Sequence, residues 1–97
     1  MLGSEAISLL RSHEATFRRL GVAHLYIFGS TSRDAATEGS DVDLFLDYEK
    51  GRLGLFELMD VRDEASRILG QRADVSTRDS LHALLRPGIE ASAIQVF

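Results

Sequence analysis

The chain of 97 residues contains no cysteine, which excludes disulfide bonds and thiolate metal sites. No apolar run approaches the roughly 20 residues of a membrane-spanning helix, and the N-terminus lacks the basic-then-apolar order of a secretory signal. Basic residues number 11 against 15 acidic ones, so the formal charge of −4 does not favour sequence-independent binding to nucleic-acid phosphates. We therefore expect a cytoplasmic protein with no membrane partner and no direct nucleic-acid partner.

The remaining composition, 44% hydrophobic and 27% charged, is typical of a globular protein. A single domain over residues 1–97 suits this length. Residue patterns predict helices over 4–20, 55–70 and 78–85, strands over 22–28, 41–48 and 72–77, and a last turn and apolar strand at the C-terminus. We expect Pro87 to stop the third helix. This order predicts the α/β (α+β) class, with one small mixed sheet flanked by helices.

The helix predicted over 55–70 is amphipathic and ends at Gly70, a residue that commonly terminates helices. Its expected apolar stripe consists of Leu55, Leu58, Met59, Arg62, Ala65, Ile68 and Leu69. Arg62 on this stripe is interpreted as a side chain whose stem is buried and whose charge reaches solvent.

The stretch "FGSTSRDAATEGSDVDLFLDY", residues 28–48, contains two aspartates where a strand begins. Asp41 and Asp43 lie two residues apart, so their side chains point to one face of the strand, roughly 6.5 to 7 Å apart. Paired carboxylates repel each other unless a cation lies between them, and Mg²⁺ prefers such oxygen ligands. Because neighbouring carboxylates can bridge two metal ions, we predict that these residues hold two Mg²⁺ ions. The alternative is a solvated strand edge.

Gly29 and Ser30 end the preceding strand. A glycine there lets the backbone approach a ligand closely, and a short helical turn after Ser30 would direct free N–H groups at a phosphate. Arg33 lies one turn further on and is either a phosphate ligand or a surface cation. Asp74 interrupts the apolar strand over 72–77 and is the candidate third carboxylate, although polar residues also occupy exposed strand faces.

The pattern G-S-x10-D-V-D followed by a later strand aspartate resembles the nucleotidyltransferase superfamily that includes DNA polymerase β. The similarity is greatest to its minimal nucleotidyltransferase group and runs from about Leu25 to Phe97. The resemblance implies a polymerase β-like fold, ATP as substrate and metal ligation by Asp41, Asp43 and Asp74. It also implies a HEPN-domain ribonuclease toxin as partner, with AMP transferred to a tyrosine hydroxyl of that toxin. This chain would then be an antitoxin.

One departure from the pattern of the group bears on whether this antitoxin is an active enzyme. The group often contains G-S-R-A-R-G, whereas this chain has "GSTSRD", in which Thr31 replaces an arginine and Asp34 a glycine. The added acid near the expected phosphate site supports an alternative, an antitoxin with a weak or inactive site that neutralises its partner by binding alone. A small-molecule-modifying enzyme is less favoured because no second domain shapes a pocket, and a polymerase is disfavoured by the acidic charge.

Overall fold

Residues 3–29 and 41–97 are described by the computed structural model of the protein, and there they form four α-helices and four β-strands. Their bounds in chain order are α1 Gly3–Arg11, α2 Glu14–Arg19, β1 Val22–Phe28, β2 Val42–Tyr48, α3 Leu55–Leu69, β3 Ala73–Thr77, α4 Arg86–Ser92 and β4 Ile94–Gln95. A 3₁₀ turn, Arg78–Ser80, follows β3. This arrangement confirms the predicted α+β class.

The four strands form one mixed sheet in the order β3-β2-β1-β4. Strand β1 is antiparallel to both β2 and β4, whereas β2 and β3 are parallel. A parallel pair requires a crossover connection, and α3 provides it between β2 and β3. The predicted strand over 22–28 is confirmed to the residue, and the predicted terminal strand is confirmed as the two-residue β4.

The hydrophobic core lies between one face of this sheet and the helices. Val42, Leu44 and Leu46 alternate along β2 and are fully buried, as the alternation predicts. They pack in one cluster with Leu25 and Ile27 of β1 and with the buried faces of α1, α2 and α3. The alternate residues of β2, which include Asp43 and Asp47, therefore point to the opposite face of the sheet.

The N-terminal segment forms two helices and not the single helix predicted over 4–20. The interruption lies at Ser12 and His13, where the Ser12 hydroxyl donates a hydrogen bond to the Leu9 carbonyl at 2.7 Å. A serine side chain bonded to a nearby carbonyl competes with the helical backbone and favours a bend. The bend allows both Leu10 of α1 and Phe17 of α2 to be fully buried.

Helix α3 confirms the predicted bounds but not the whole of its predicted apolar stripe. Leu55 and Met59 are exposed to 71% and 41%, and Arg62 is also exposed, whereas Val61 is fully buried. Two adjoining stripes of this helix carry apolar residues, and the sheet covers the one that contains Val61. Gly70 ends the helix with φ +66°, as predicted. No helix among the described residues is long and apolar enough to cross a membrane.

The predicted helix over 78–85 is wrong, as is the role given to Pro87. Only the 3₁₀ turn over 78–80 forms there, and Pro87 lies in the first turn of α4. Proline has no N–H to donate, but the first helical turn needs none, so proline starts a helix as readily as it stops one. The segment therefore reaches the C-terminal strand through α4.

Candidate active site

Asp43 and Asp74, the second residues of β2 and β3, are paired directly across the parallel ladder. Neighbouring strands lie about 4.8 Å apart, so these two carboxylates lie side by side on the face opposite the core. Asp41 stands two residues before Asp43, which places its side chain toward the same face. The structure thus brings together the three aspartates that the sequence analysis selected from separate segments.

The Asp43 carboxyl is half-buried, while Asp41 and Asp74 are exposed. Burial raises the pKa of Asp43 above its ordinary value, and the negative charges of Asp74 and then Asp41 raise it further. An ionised Asp43 is therefore unfavourable in the protein unless positive charge is added beside it. The cluster therefore differs from a set of aspartates whose ionised forms are each stabilised by an arginine.

Arg72 supplies little of that positive charge. Its Nε lies 3.9 Å from the nearer carboxylate oxygen of Asp41, at the limit of an ion pair. The two side chains are 85% and 46% exposed, so solvent screens the interaction and its contribution to stability is small.

The three carboxylates fit a hard divalent cation in their chemistry, because carboxylate oxygens are the ligands that Mg²⁺ takes in proteins. Burial, and then the negative charges of Asp74 and Asp41, raise the pKa of Asp43, so a cation beside it would favour its ionised form. Within residues 3–29 and 41–97, no three acidic, histidine or cysteine side chains converge closely enough to hold a metal ion as they stand. Metal ligation by Asp41, Asp43 and Asp74 therefore stays a prediction.

Gly29 forms the wall of the site beside Asp43. It follows β1, whose last residue is paired with Asp43 across the antiparallel ladder. Gly29 has φ +75°, and a Cβ atom built on it would lie 2.6 Å from an oxygen of the Asp43 carboxylate. A side chain at this left-handed position would be strained and would have to push the carboxylate aside, which favours glycine. The predicted approach of the Gly29 backbone to a ligand stays a prediction. The predicted ligands Ser30 and Arg33, with the helical turn after Ser30, lie outside the described residues.

Substitution of Gly29 by alanine is expected to displace the Asp43 carboxylate and to reduce catalysis by at least about tenfold, as small misplacements of reacting groups commonly do. The matched control is Gly51→Ala, because Gly51 has a similar φ of +82° but nothing within 4 Å of its Cβ position. Both variants carry the strain of a left-handed backbone. Initial transfer rates and melting temperatures should show equal destabilisation but loss of activity in Gly29→Ala alone; equal rates would contradict the assigned contact.

A second polar cluster, centred on Arg78, was not predicted. The guanidinium of Arg78 donates two hydrogen bonds to the Asp47 carboxylate, at 2.7 and 3.0 Å, and one to Glu90 of α4. Its carbon also lies 4.8 Å from the ring centre of Tyr26 and 5.1 Å from that of Phe45. Arg78 therefore joins β2, the turn after β3, and α4 over the face that carries the catalytic candidates.

The sequence contains a signal for this cluster. Positions 74, 76 and 78 continue the alternation of β3, just as positions 43, 45 and 47 follow that of β2. Arg78 and Asp47 should accordingly lie on one face, as they do. The structure shows Asp47 half-buried against Arg78. Phe45 is likewise only 1% exposed, although it lies on the polar face.

Asp43 and Asp74 on two parallel strands, with Asp41 beside them and a glycine turn against Asp43, form the kind of carboxylate cluster that metal-dependent phosphoryl-transfer sites use. The particular family follows from comparison of the chain with known proteins. A family model described as "Nucleotidyltransferase domain" matches residues 10–96, and the chain belongs to this family of nucleotidyltransferases.

The similar proteins agree with this assignment. The chain is 36% identical, over 83 residues, to the protein adenylyltransferase MntA of Thermococcus cleftensis, which covers 84% of this chain and 83% of that protein. A solved structure provisionally designated a minimal nucleotidyltransferase superposes with a TM-score of 0.84 at 28% identity, covering 97% of this chain and 95% of the other. The structure of a toxin–antitoxin with AMP-PNP shares the fold, with a TM-score of 0.72 at 17% identity over 90% and 72% of the two chains.

Proposed function

We propose that residues 1–97 form a single minimal nucleotidyltransferase domain that transfers AMP from ATP to a hydroxyl of a cognate toxin protein, and so acts as an antitoxin. The observation that carries this proposal is the alignment of Asp43 with Asp74, next to Asp41 and against Gly29. The 36% identity to the adenylyltransferase MntA supports AMP as the transferred group.

The roles of the site residues follow from their places around Asp43. Asp41 and Asp43 would hold two Mg²⁺ ions, and Asp74 would share one of them on the side of β3. When bound, Mg²⁺ supplies charge neutralisation of the triphosphate and lowers the pKa of the attacking hydroxyl. Gly29, Ser30 and Arg33 would bind the β- and γ-phosphates. These residues would position the substrates and neutralise their negative charge. Positioning and charge neutralisation account for most catalysis in phosphoryl transfer.

The transfer itself exchanges one phosphorus–oxygen bond for another. The hydroxyl oxygen of the acceptor attacks the α-phosphorus of ATP, and the bond from that phosphorus to the oxygen bridging it to the β-phosphate breaks. Pyrophosphate leaves and AMP stays on the acceptor through a phosphodiester. In the proposed mechanism the exposed carboxylate of Asp74 would receive the proton that the hydroxyl releases.

The proposed acceptor is a tyrosine of a HEPN-domain ribonuclease toxin that forms a complex with this chain in the cytoplasm. The resemblance of "GSTSRDAATEGSDVD" and Asp74 to the minimal nucleotidyltransferase group supports this partner. A related fold in a toxin–antitoxin structure with AMP-PNP is consistent with it, since that assembly combines a toxin, an antitoxin and an ATP analogue.

A transfer assay tests the proposal. The protein is incubated with α-labelled ATP, Mg²⁺ and the product of the neighbouring reading frame, beside the double variant Asp41→Asn/Asp43→Asn. We expect one labelled protein band that the double variant does not produce, with AMP found on a tyrosine by mass spectrometry. A stable unlabelled complex that still neutralises the toxin would reject the enzyme and favour the antitoxin that acts by binding alone.

A further inference from the structure

We propose that the cavity beside Asp74 binds the acceptor protein, and that Arg62 and Arg72 select hydroxyl groups flanked by acidic residues. This inference rests on the proposed function and adds the chemical character of its acceptor. Apart from Asp74, the residues that line this cavity have no role in the catalytic assignments.

The cavity lies between α3 and β3, with a volume of about 390 Å³, and is lined by Arg62, Asp63, Ser66, Arg72, Ala73 and Asp74. Strand β3 is at the edge of the sheet, so the cavity opens on a side where no further strand is paired in the described chain. The Ala73 N–H donates to the Ser66 hydroxyl at 3.0 Å and fixes helix and strand together at this point. The cavity is thus built on two packed elements.

The position of the cavity favours the acceptor over the nucleotide. Strand β2, which carries Asp43, lies between β3 and β1. Gly29, the predicted phosphate-binding turn, follows β1, whereas the cavity adjoins Asp74 on β3. The two therefore flank Asp43 from opposite sides. Since attack on the α-phosphorus requires the acceptor opposite the leaving pyrophosphate, the side of β3 is where the hydroxyl should enter.

Two guanidinium groups, those of Arg62 and Arg72, line this entrance together with the carboxylates of Asp63 and Asp74. Arg62 contacts only its neighbour Asp63 among the described ion pairs, at 3.3 Å, and these side chains are 49% and 69% exposed. Within the part of the chain that the structure describes, Arg72 is paired only with Asp41, at 3.9 Å, and the proposed mechanism assigns Asp41 to a metal ion. Weak, solvent-screened pairs of this kind are readily exchanged. Both arginines can accordingly turn to carboxylates of an incoming chain, which they bind in bidentate fashion.

The surface continues along α3 beyond Arg62. Leu55 and Met59 precede Arg62 by seven and three residues, so all three lie on one stripe of the helix, extending over about 10 Å. Leu55 and Met59 are exposed to 71% and 41%. This continuity indicates that the acceptor places acidic residues near its hydroxyl and an apolar contact further out, as a protein acceptor can and a small molecule cannot.

Peptide binding tests the inference without requiring transfer. Two fluorescein-labelled peptides of equal length carry one tyrosine, flanked by glutamates in one and by lysines in the other, and their affinities are measured by fluorescence anisotropy at low salt. We expect the acidic peptide to bind at least about tenfold more tightly. The variant Arg62→Glu/Arg72→Glu should remove this preference. Arg67→Glu, on the same helix but outside the cavity, should retain it.

The outcomes separate this inference from the proposed function. Equal affinity for the two peptides, or a preference that survives Arg62→Glu/Arg72→Glu, would overturn the role of the cavity whatever the enzyme does. Adding α-labelled ATP and Mg²⁺ to the same peptides tests adenylyl transfer separately from peptide binding. Preferential binding of the acidic peptide, with no label on this peptide or on the neighbouring gene product, would support the cavity and count against adenylyl transfer.

Discussion

Replacement of Asp43 by asparagine is expected to reduce AMP transfer by at least about 100-fold, on the scale of losing one preorganised electrostatic group from a catalytic site. Asp43 is central to the cluster, because it is paired with Asp74 across the ladder, follows Asp41 by two residues and lies against Gly29. Asparagine keeps the shape of the side chain but removes the charge that would attract Mg²⁺. Initial rates of label transfer at saturating ATP measure the effect.

The control for this variant is Asp60→Asn, since Asp60 is an exposed aspartate on α3 outside the cluster. Its transfer rate should equal that of the unchanged protein. A rate for Asp43→Asn within a few-fold of that value would show that the carboxylate cluster is not the catalytic centre, even if transfer itself is observed.

Asp43→Asn is expected to maintain or raise the free energy of unfolding. A loss of transfer in this variant would therefore not be due to unfolding. The folded-state pKa of Asp43 is raised, so the folded protein binds this proton more tightly than the unfolded chain. The ionised group thus lowers the free energy of unfolding at neutral pH. This penalty is relieved as pH falls through the raised pKa toward the ordinary value of 3.8. Melting curves at several pH values should show this component in the unchanged protein and not in Asp43→Asn.

The strands and the carboxylate site could be predicted because each depends on a local rule. Alternation of Val42, Leu44 and Leu46 assigns a buried face to β2, and the aspartates then fall on the other face. The pairing of Asp43 with Asp74 is not local, but two isolated aspartates at equivalent positions of apolar strands indicate it once the strands are parallel neighbours. The close fit of the Asp43 carboxylate against Gly29, where a Cβ atom would lie 2.6 Å from its oxygen, requires coordinates.

Other features of the fold could not be predicted because the local sequence is compatible with two alternative structures. Helix α3 has two adjoining apolar stripes, and its neighbours in the fold decide which one is buried. The interruption at Ser12 depends on one hydroxyl–carbonyl hydrogen bond that adds little energy by itself. Pro87 is compatible with either a helix end or a helix start. In each case the packing of the whole chain selects the outcome.

Arg78 belongs to a third kind, a long-range contact that local periodicity indicates only in part. The periodicity of β3 places it on the face of Asp47, but α4 must also bring Glu90 into reach. Because α4 itself was not predicted, neither was the cluster. The cluster and the catalytic candidates lie on the same face of the sheet, separated along β2 by Phe45. The C-terminal segment is thereby attached to the face where catalysis is proposed.

Substitution of Arg78 by alanine is expected to lower the free energy of unfolding by about 2–3 kcal/mol, less than the full cost of breaking a deeply buried pair, because its side chain is 25% exposed. Asp47 and Glu90 would lose a common partner, and their hydrogen bonds now hold the pKa of Arg78 above its ordinary value. The rings of Tyr26 and Phe45 would lose the covering guanidinium. For a chain of this length the melting temperature should fall by about 10–20 °C.

Arg78→Lys separates the charge from the geometry of this contact. Lysine keeps the positive charge but has neither the planar fork that binds Asp47 through two atoms nor the flat surface that stacks on aromatic rings, so an intermediate loss is expected. Arg67→Ala, which removes an exposed arginine paired with Glu64 on α3, should leave the melting temperature nearly unchanged. If Arg78→Ala unfolds at the same temperature as Arg67→Ala, the cluster does not fasten α4 to the sheet. A loss as large in Arg78→Lys as in Arg78→Ala would instead show that the fork and the ring contacts, and not the charge, hold the C-terminal segment in place.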